Sequence, residues 1–131
     1  MPEPQYRLVK RRIEQGVLVM TISEPQLERD ALVEALRREL IAAVEPPGIQ
    51  KVVLDFQRVR LFSSAAFRPL ISLRRKLEEC GSRLVLCNLS PVVAKTFQAT
   101  RMISSSRSST ASFTVEPDVA SAIATLNSSE S

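Results

Sequence analysis

Lys51-Val52-Val53-Leu54-Asp55-Phe56, a short loop, and then Phe62-Ser63-Ser64-Ala65-Ala66-Phe67 form the stretch from which the rest of the chain can be ordered. Val52-Val53-Leu54 is a continuous β-favouring apolar run, the pattern of a parallel strand covered on both faces. The loop through Gln57–Phe62 leads to paired serines and a helix ending near Cys80. Its apolar stripe is Ala66, Leu70, Leu73, Leu77 and Cys80, with Gly81 as the C-terminal stop. Pro69 complicates the start. A helix begun at Ala65 would lose a bond to the Ala65 carbonyl there, so either the first turn is distorted or the regular helix starts near Pro69. Leu84-Val85-Leu86-Cys87 reads as a second buried strand. Ser90-Pro91 supplies an N-cap serine and a proline at the first helical position. The helix that follows runs to about Thr100 and buries Val92 or Val93, Thr96 and Phe97.

Outward from this centre, Tyr6–Glu14 and Val17–Ile22 read as two strands around a Gln15-Gly16 turn. Glu28 to about Val44 is the clearest helix. Leu32, Leu36, Leu40 and Ala43 mark its buried stripe, and Glu34 and Arg38 form an i,i+4 pair on the opposite side. Pro46-Pro47-Gly48 ends it. Seven of the nine residues in Ser104–Ser112 are Ser or Thr, a composition that cannot offset its ordering entropy, so the segment reads as a mobile loop. Phe113-Thr114-Val115 reads as a last short strand and Asp118 to Leu126 as a final helix, with a disordered tail over 127–131. The order β-β-α-β-α-β-α-β-α predicts a single α/β domain over 1–126. Its mixed, mostly parallel sheet should hold four or five strands, with an N-terminal antiparallel hairpin and about four helices.

Composition narrows the chemistry. The 131 residues include no His, no Trp, three Gly and two Cys. Without His there is no imidazole base, no Ser-His or Cys-His nucleophile pair and no His-ligated metal. Two Cys cannot build a four-thiolate site, and the widely spaced glycines form no phosphate-cradling loop. The expectation is a binding or switching module that is not an enzyme and carries no cofactor and no metal. The formal charge is +4. The basic runs lie on separate elements and aromatics are few, which argues against direct nucleic-acid binding. No apolar run approaches the ~20 residues of a membrane span, and no targeting segment is visible. Cys80 and Cys87 are expected as small core residues in a reducing compartment, and the chain reads as cytoplasmic.

Residues 51–100 resemble the STAS family, the anti-sigma-factor-antagonist domains also found as tails of sulphate transporters. The family pattern is an apolar strand ending in Asp, a short loop, Asp-Ser-Ser-Gly-Leu opening a helix, and a Gly before a second apolar strand. Here Val52-Val53-Leu54-Asp55-Phe56, Phe62-Ser63-Ser64-Ala65-Ala66-Phe67 and Gly81 to Pro91 follow in order. The resemblance implies a single STAS-like domain whose partner is an anti-sigma factor with a kinase-like ATPase fold. It also implies that Ser64, or less favourably Ser63, is the residue this kinase phosphorylates. Asp55, Phe62, Ser63, Ser64, Ala65, Phe67 and Arg68 would then form the partner surface, with a homo-oligomer compatible with the pattern.

Plainer readings stand beside these. Ser64 could simply cap the helix, Asp55 could accept hydrogen bonds from the following loop, and Phe62 and Phe67 could be core residues. The family's Asp and Gly are Phe62 and Ala65 here, so the turn lacks a carboxylate and a residue free to take glycine-only angles. Two other functions remain open: a constitutive scaffold without a phospho-switch, and a small-ligand or nucleotide-binding domain.

Overall fold

The computed structural model describes residues 8–45, 48, 50–99 and 113–128. In chain order the elements are β1 (Val9–Glu14), β2 (Val17–Ile22), β3 (Gln26–Leu27), α1 (Asp30–Ala43), β4 (Lys51–Asp55) and β5 (Leu61–Phe62). Then come α2 (Phe67–Glu79), β6 (Arg83–Cys87), α3 (Pro91–Ala99), β7 (Thr114–Glu116) and α4 (Val119–Ser128). The Tyr6 end of the first expected strand, Pro46-Pro47, Thr100, the Ser104–Ser112 segment and residues 129–131 lie outside the described residues.

The main sheet has the order β1-β2-β4-β6-β7. β1 and β2 are antiparallel, joined by Gln15 and Gly16 with φ of 54° and 79°. Two consecutive positive-φ residues match the right-handed twist of the flanking strands, and glycine takes its angle without cost. The remaining pairs are parallel. This is the mixed α/β sheet that the element order predicts.

Because side chains alternate across a strand, the sheet sorts its apolar residues into two layers. Leu18, Met20, Val52, Leu54 and Leu86 face the layer of α1 and α2. Val17, Val19, Val53, Val85 and Cys87 face Ala122, Ile123 and Leu126 of α4. Val52-Val53-Leu54 is thus buried on both sides, as its unbroken apolar run requires.

Four details differ from the sequence reading. On α1 the buried stripe is Val33, Leu36, Leu40 and Ala43, because α1 rolls so that Leu32 packs only at the edge of the core. On α3 the buried residues are Val93 and Phe97, as expected, but Thr96, expected to be buried with them, is only half-buried. Cys80, expected in the core, is exposed at the C-cap of α2, where the helix has turned out to solvent. Asn127 and Ser128, assigned to a disordered tail, belong to α4. Asn127 is held there by accepting from Lys51 Nζ at 2.9 Å and donating to the Gln15 carbonyl at 3.4 Å.

Candidate functional site: the serine turn at the carboxyl edge of the sheet

The turn that carries the serines is positioned by β3 and β5, two-residue strands that pair in parallel, Gln26 with Leu61 and Leu27 with Phe62. The Pro25 carbonyl accepts from Arg60 N–H at 2.7 Å and Leu61 N–H at 3.0 Å. Ser63 N–H then donates to the Leu27 carbonyl at 3.0 Å. The loop after β4 is thereby stitched to the loop before α1. Sequence reading misses both strands, because two residues are too few to show any periodicity.

Ser63 occupies the N-cap position, with φ −84° and ψ 164°, but its side chain makes no capping bond. Its hydroxyl donates to the Leu27 carbonyl at 3.3 Å. Ser64 is exposed and opens a single 3₁₀ turn, Ser64–Ala66, from which α2 continues at Phe67. The plainer reading, in which Ser64 caps the helix, does not hold. Ser64 lies inside the turn, one residue past the capping position. The same offset resolves Pro69, which is the third residue of α2. Its missing N–H falls among those that lack an intrahelical partner in any helix, so no bond is lost. Ala65 needs no glycine angle, since among the described non-glycine residues only Gln15 and Asn88 have positive φ.

Asp55 ends β4 with its carboxylate buried. One oxygen accepts from Gln57 N–H and from Asn88 Nδ2, both at 2.9 Å. The other accepts from Thr21 Oγ1 at 3.2 Å. Thr21 lies opposite Asp55 on β2, and Asn88 follows Cys87, which lies opposite it on β6. One carboxylate thus ties the carboxyl ends of three adjacent strands, and Asn88 takes a left-handed φ of 60° beside it. This is the hydrogen-bonding reading of Asp55. Its burial removes it from the exposed surface on which the sequence reading placed it.

Phe62 and Phe67 are also buried, at the two ends of the serine turn. Their centroids are 5.0 Å apart in an edge-to-face pair. Phe97 of α3 packs on Phe67 at 4.8 Å, on Phe62 at 5.2 Å and on Phe56 at 5.9 Å. Phe113 completes the set against Phe97 at 6.2 Å, with the Arg74 guanidinium 4.7 Å from its ring centre. All five phenylalanines of the chain form this one cluster beneath the turn. Edge-to-face contacts of this kind add to area burial and fix ring orientation. Phe62 therefore serves as a core plug where the family pattern has an Asp.

Arg68, Ser64 and Ala65 stay at or near the surface, with Arg68 and Ser64 exposed. Neither the 3₁₀ turn nor the first turn of α2 carries an acidic residue. Of the expected contact set, the structure leaves Ser64 and Arg68 outside, Ser63 and Ala65 half-buried, and Asp55, Phe62 and Phe67 within. Beneath the site the Cys87 thiol is pushed up to about 12, first by burial and then by the Asp55 charge. Cys87 is accordingly an inert core thiol. Among the described residues no cluster of His, Cys, Asp and Glu could hold a metal ion, and no helix is long and apolar enough to cross a membrane.

The model of the STAS domain family matches residues 9–122. Among curated proteins, the chain is 37% identical over 71 residues to BtrV of Bordetella bronchiseptica, a candidate anti-sigma factor antagonist. That match covers 54% of this chain and 60% of the relative, so it spans less than two thirds of BtrV. Among solved structures, an anti-sigma-factor antagonist domain protein from Planctomyces limnophilus superposes with a TM-score of 0.75 at 18% identity, covering 91% of this chain and 97% of that one. The phosphorylated form of the Bacillus cell fate determinant SpoIIAA superposes with a TM-score of 0.54 at 22% identity, covering 70% and 82%. At such identities these superpositions establish the shared fold.

Proposed function

We propose that this chain, which belongs to the STAS domain family, is a non-enzymatic switch module that binds an anti-sigma factor with a kinase-like ATPase fold. Holding that factor would free a sigma factor and so regulate transcription indirectly. Phosphorylation of Ser64 would release the complex. In that transfer the Ser64 hydroxyl oxygen attacks the γ-phosphorus of ATP held by the kinase. The bond to the β–γ bridging oxygen breaks, ADP leaves, and the hydroxyl proton passes to a base on the kinase.

The single observation that carries the choice of Ser64 is the different fate of the two hydroxyls. Ser63 Oγ is committed to the Leu27 carbonyl, whereas Ser64 is exposed on the outer side of the turn. The likeness to SpoIIAA, a protein that exists in a phosphorylated form, supports the same reading. A phosphate adds about −1.5 to −2 charges, which changes a protein–protein surface without any need to unfold the domain. Incubation with the purified cognate anti-sigma factor and ATP, followed by binding measurements on wild type, Ser64→Ala and Ser64→Asp, tests it. Wild type should lose binding as it gains phosphate, Ser64→Ala should bind throughout, and Ser64→Asp should bind weakly. Equal binding by all three, with no phosphate incorporated, removes the switch.

The burial of Phe62 favours one alternative, a constitutive scaffold or oligomer-forming module, because the turn then lacks the carboxylate of the family pattern. Intact-mass analysis of the protein from its native host separates the two, since a phosphorylated Ser64 is incompatible with the scaffold.

A further inference from the structure

Among the described residues only three large apolar side chains are exposed: Ile13 at 67%, Val92 at 53% and Leu61 at 38%. Two of them lie on elements that pack together at the carboxyl edge of the sheet. Leu61 is in β5 and Val92 is the second residue of α3, and α3 seats on β5 through Phe97 and Phe62. Leu61 also lies three residues before Ser64. Single exposed apolar residues are ordinary; what sets this pair apart is the charge around it. Residues 56–68 and 88–99, which carry the two elements, contain Arg58, Arg60, Arg68 and Lys95 and not one Asp or Glu. All four basic residues are exposed, and the acidic side chains that come near along the paired backbone are Glu24 and Glu28, which flank β3 across from Leu61.

We infer that Leu61 and Val92 are the apolar anchors of the partner-binding surface, and that the surface they fit is an apolar hollow on a protein, rimmed with carboxylates. This rests on the function proposed above and names the chemistry of that partner's face. An apolar centre with a charged rim is the usual anatomy of a protein interface, where the rim sets the association rate and the centre sets the residence time. A nucleic acid would match the charge but not the rest. Single-strand and loop recognition stacks bases on aromatic rings, and all five phenylalanines are buried in the cluster beneath the turn. The same geometry gives the switch an electrostatic sign. A phosphate on Ser64 would add negative charge to a segment whose charged side chains, Arg58, Arg60 and Arg68, are all basic, and would oppose the partner's carboxylates with a like charge.

The test uses the full chain and the purified anti-sigma factor, with association and dissociation rates measured at low and high salt. Leu61→Ser and Val92→Ser should each raise Kd about tenfold or more, mainly through faster dissociation. The double variant Arg58→Glu/Arg60→Glu should slow association and flatten its salt dependence. Ile13→Ser, at the opposite edge of the sheet, should leave both rates unchanged and guards against a general effect of removing an apolar side chain. Circular dichroism checks that each variant is folded, and Leu61→Ala and Val92→Ala replace any that is not. If wild type binds and the Leu61 and Val92 variants bind equally well, the anchors are wrong and the proposed function stands. If wild type does not bind the anti-sigma factor, the proposed function fails and the inference fails with it. Duplex or single-stranded DNA binding that is abolished by Arg58→Glu/Arg60→Glu, with partner binding intact, would reassign the cationic rim to nucleic acid.

Discussion

The rings of Phe62 and Phe67 meet edge to face 5.0 Å apart, and the four residues between them are the serine turn. The turn is thus closed at its base by an aromatic pair and presents Ser64 at its crest. Phe97 packs against both rings, so the turn, α2 and α3 share one anchor. A rigid base has a functional consequence. The backbone at Ser64 is held by this packing, which would lower the ordering cost of the proposed binding.

Replacing Phe62 by the carboxylate of the family pattern should therefore damage the domain. Phe62→Asp puts a charge against three rings, those of Phe56, Phe67 and Phe97, and should cost at least about 3 kcal/mol, from the lost ring and the unpaired buried charge together. Phe62→Leu keeps an apolar plug and should cost about 1–2 kcal/mol. Urea denaturation at neutral pH measures both. A Phe62→Asp protein as stable as wild type would mean that the ring cluster is not what closes the turn.

The two serines should separate by stability as well as by modification. Ser63→Ala removes a hydrogen bond to the Leu27 carbonyl and should cost about 0.5–1.5 kcal/mol. Ser64→Ala changes an exposed side chain and should stay within about 0.5 kcal/mol of wild type. Thermal unfolding of the pair shows the difference, and the reverse order would contradict the geometry.

Asp55 should matter to the fold before it matters to any partner. Asp55→Ala leaves Gln57 N–H, Asn88 Nδ2 and Thr21 Oγ1 without their shared acceptor. The expected loss is about 2–3 kcal/mol, the usual cost of stranding buried donors that had faced a charged group. Hydrogen exchange should rise first at the ends of β2, β4 and β6, where the three bonds converge. Unchanged protection there would remove Asp55 from this role.

The two cysteines should react differently. Cys80 is exposed and Cys87 is buried, with its thiol pushed up to about 12. In the native protein at mild alkaline pH a thiol reagent should therefore take up one equivalent, and two after unfolding. The raised value also fixes a pH dependence. Below the unfolded thiol's ordinary range, near pH 8.5–9, both states keep the proton and the contribution of Cys87 is complete. Above that range the unfolded thiol ionises while the folded one does not. Stability then falls as pH rises toward 12, by about 1.4 kcal/mol per unit at most. Cys87→Ala should remove this part of the alkaline loss. An identical pH profile in wild type and variant would count against it.

Much of this molecule is written in local pattern. The 3.6-residue recurrence of Leu36, Leu40 and Ala43, and of Leu70, Leu73 and Leu77, specifies α1 and α2 because each helix has one face to bury. Ser90 does cap α3, accepting from Val93 N–H at 3.3 Å. Local pattern also brings Ser63 and Ser64 to a helix start at the end of a parallel strand. It does not show which hydroxyl is engaged, because that depends on Leu27, 36 residues away along the chain, whose carbonyl accepts from the Ser63 hydroxyl.

The sequence by itself determined the α/β class and the order of the helices and of the five main-sheet strands, since periodicity and capping are short-range properties that survive without coordinates. Only the tertiary structure decided that Phe62 and Phe67 face inward, that Asp55 is spent on three strand ends, and that Leu61 and Val92 remain outside. Those outcomes follow from contacts between segments far apart in the chain, and burial, unlike helix or strand preference, is settled by what packs against a residue rather than by its neighbours in sequence.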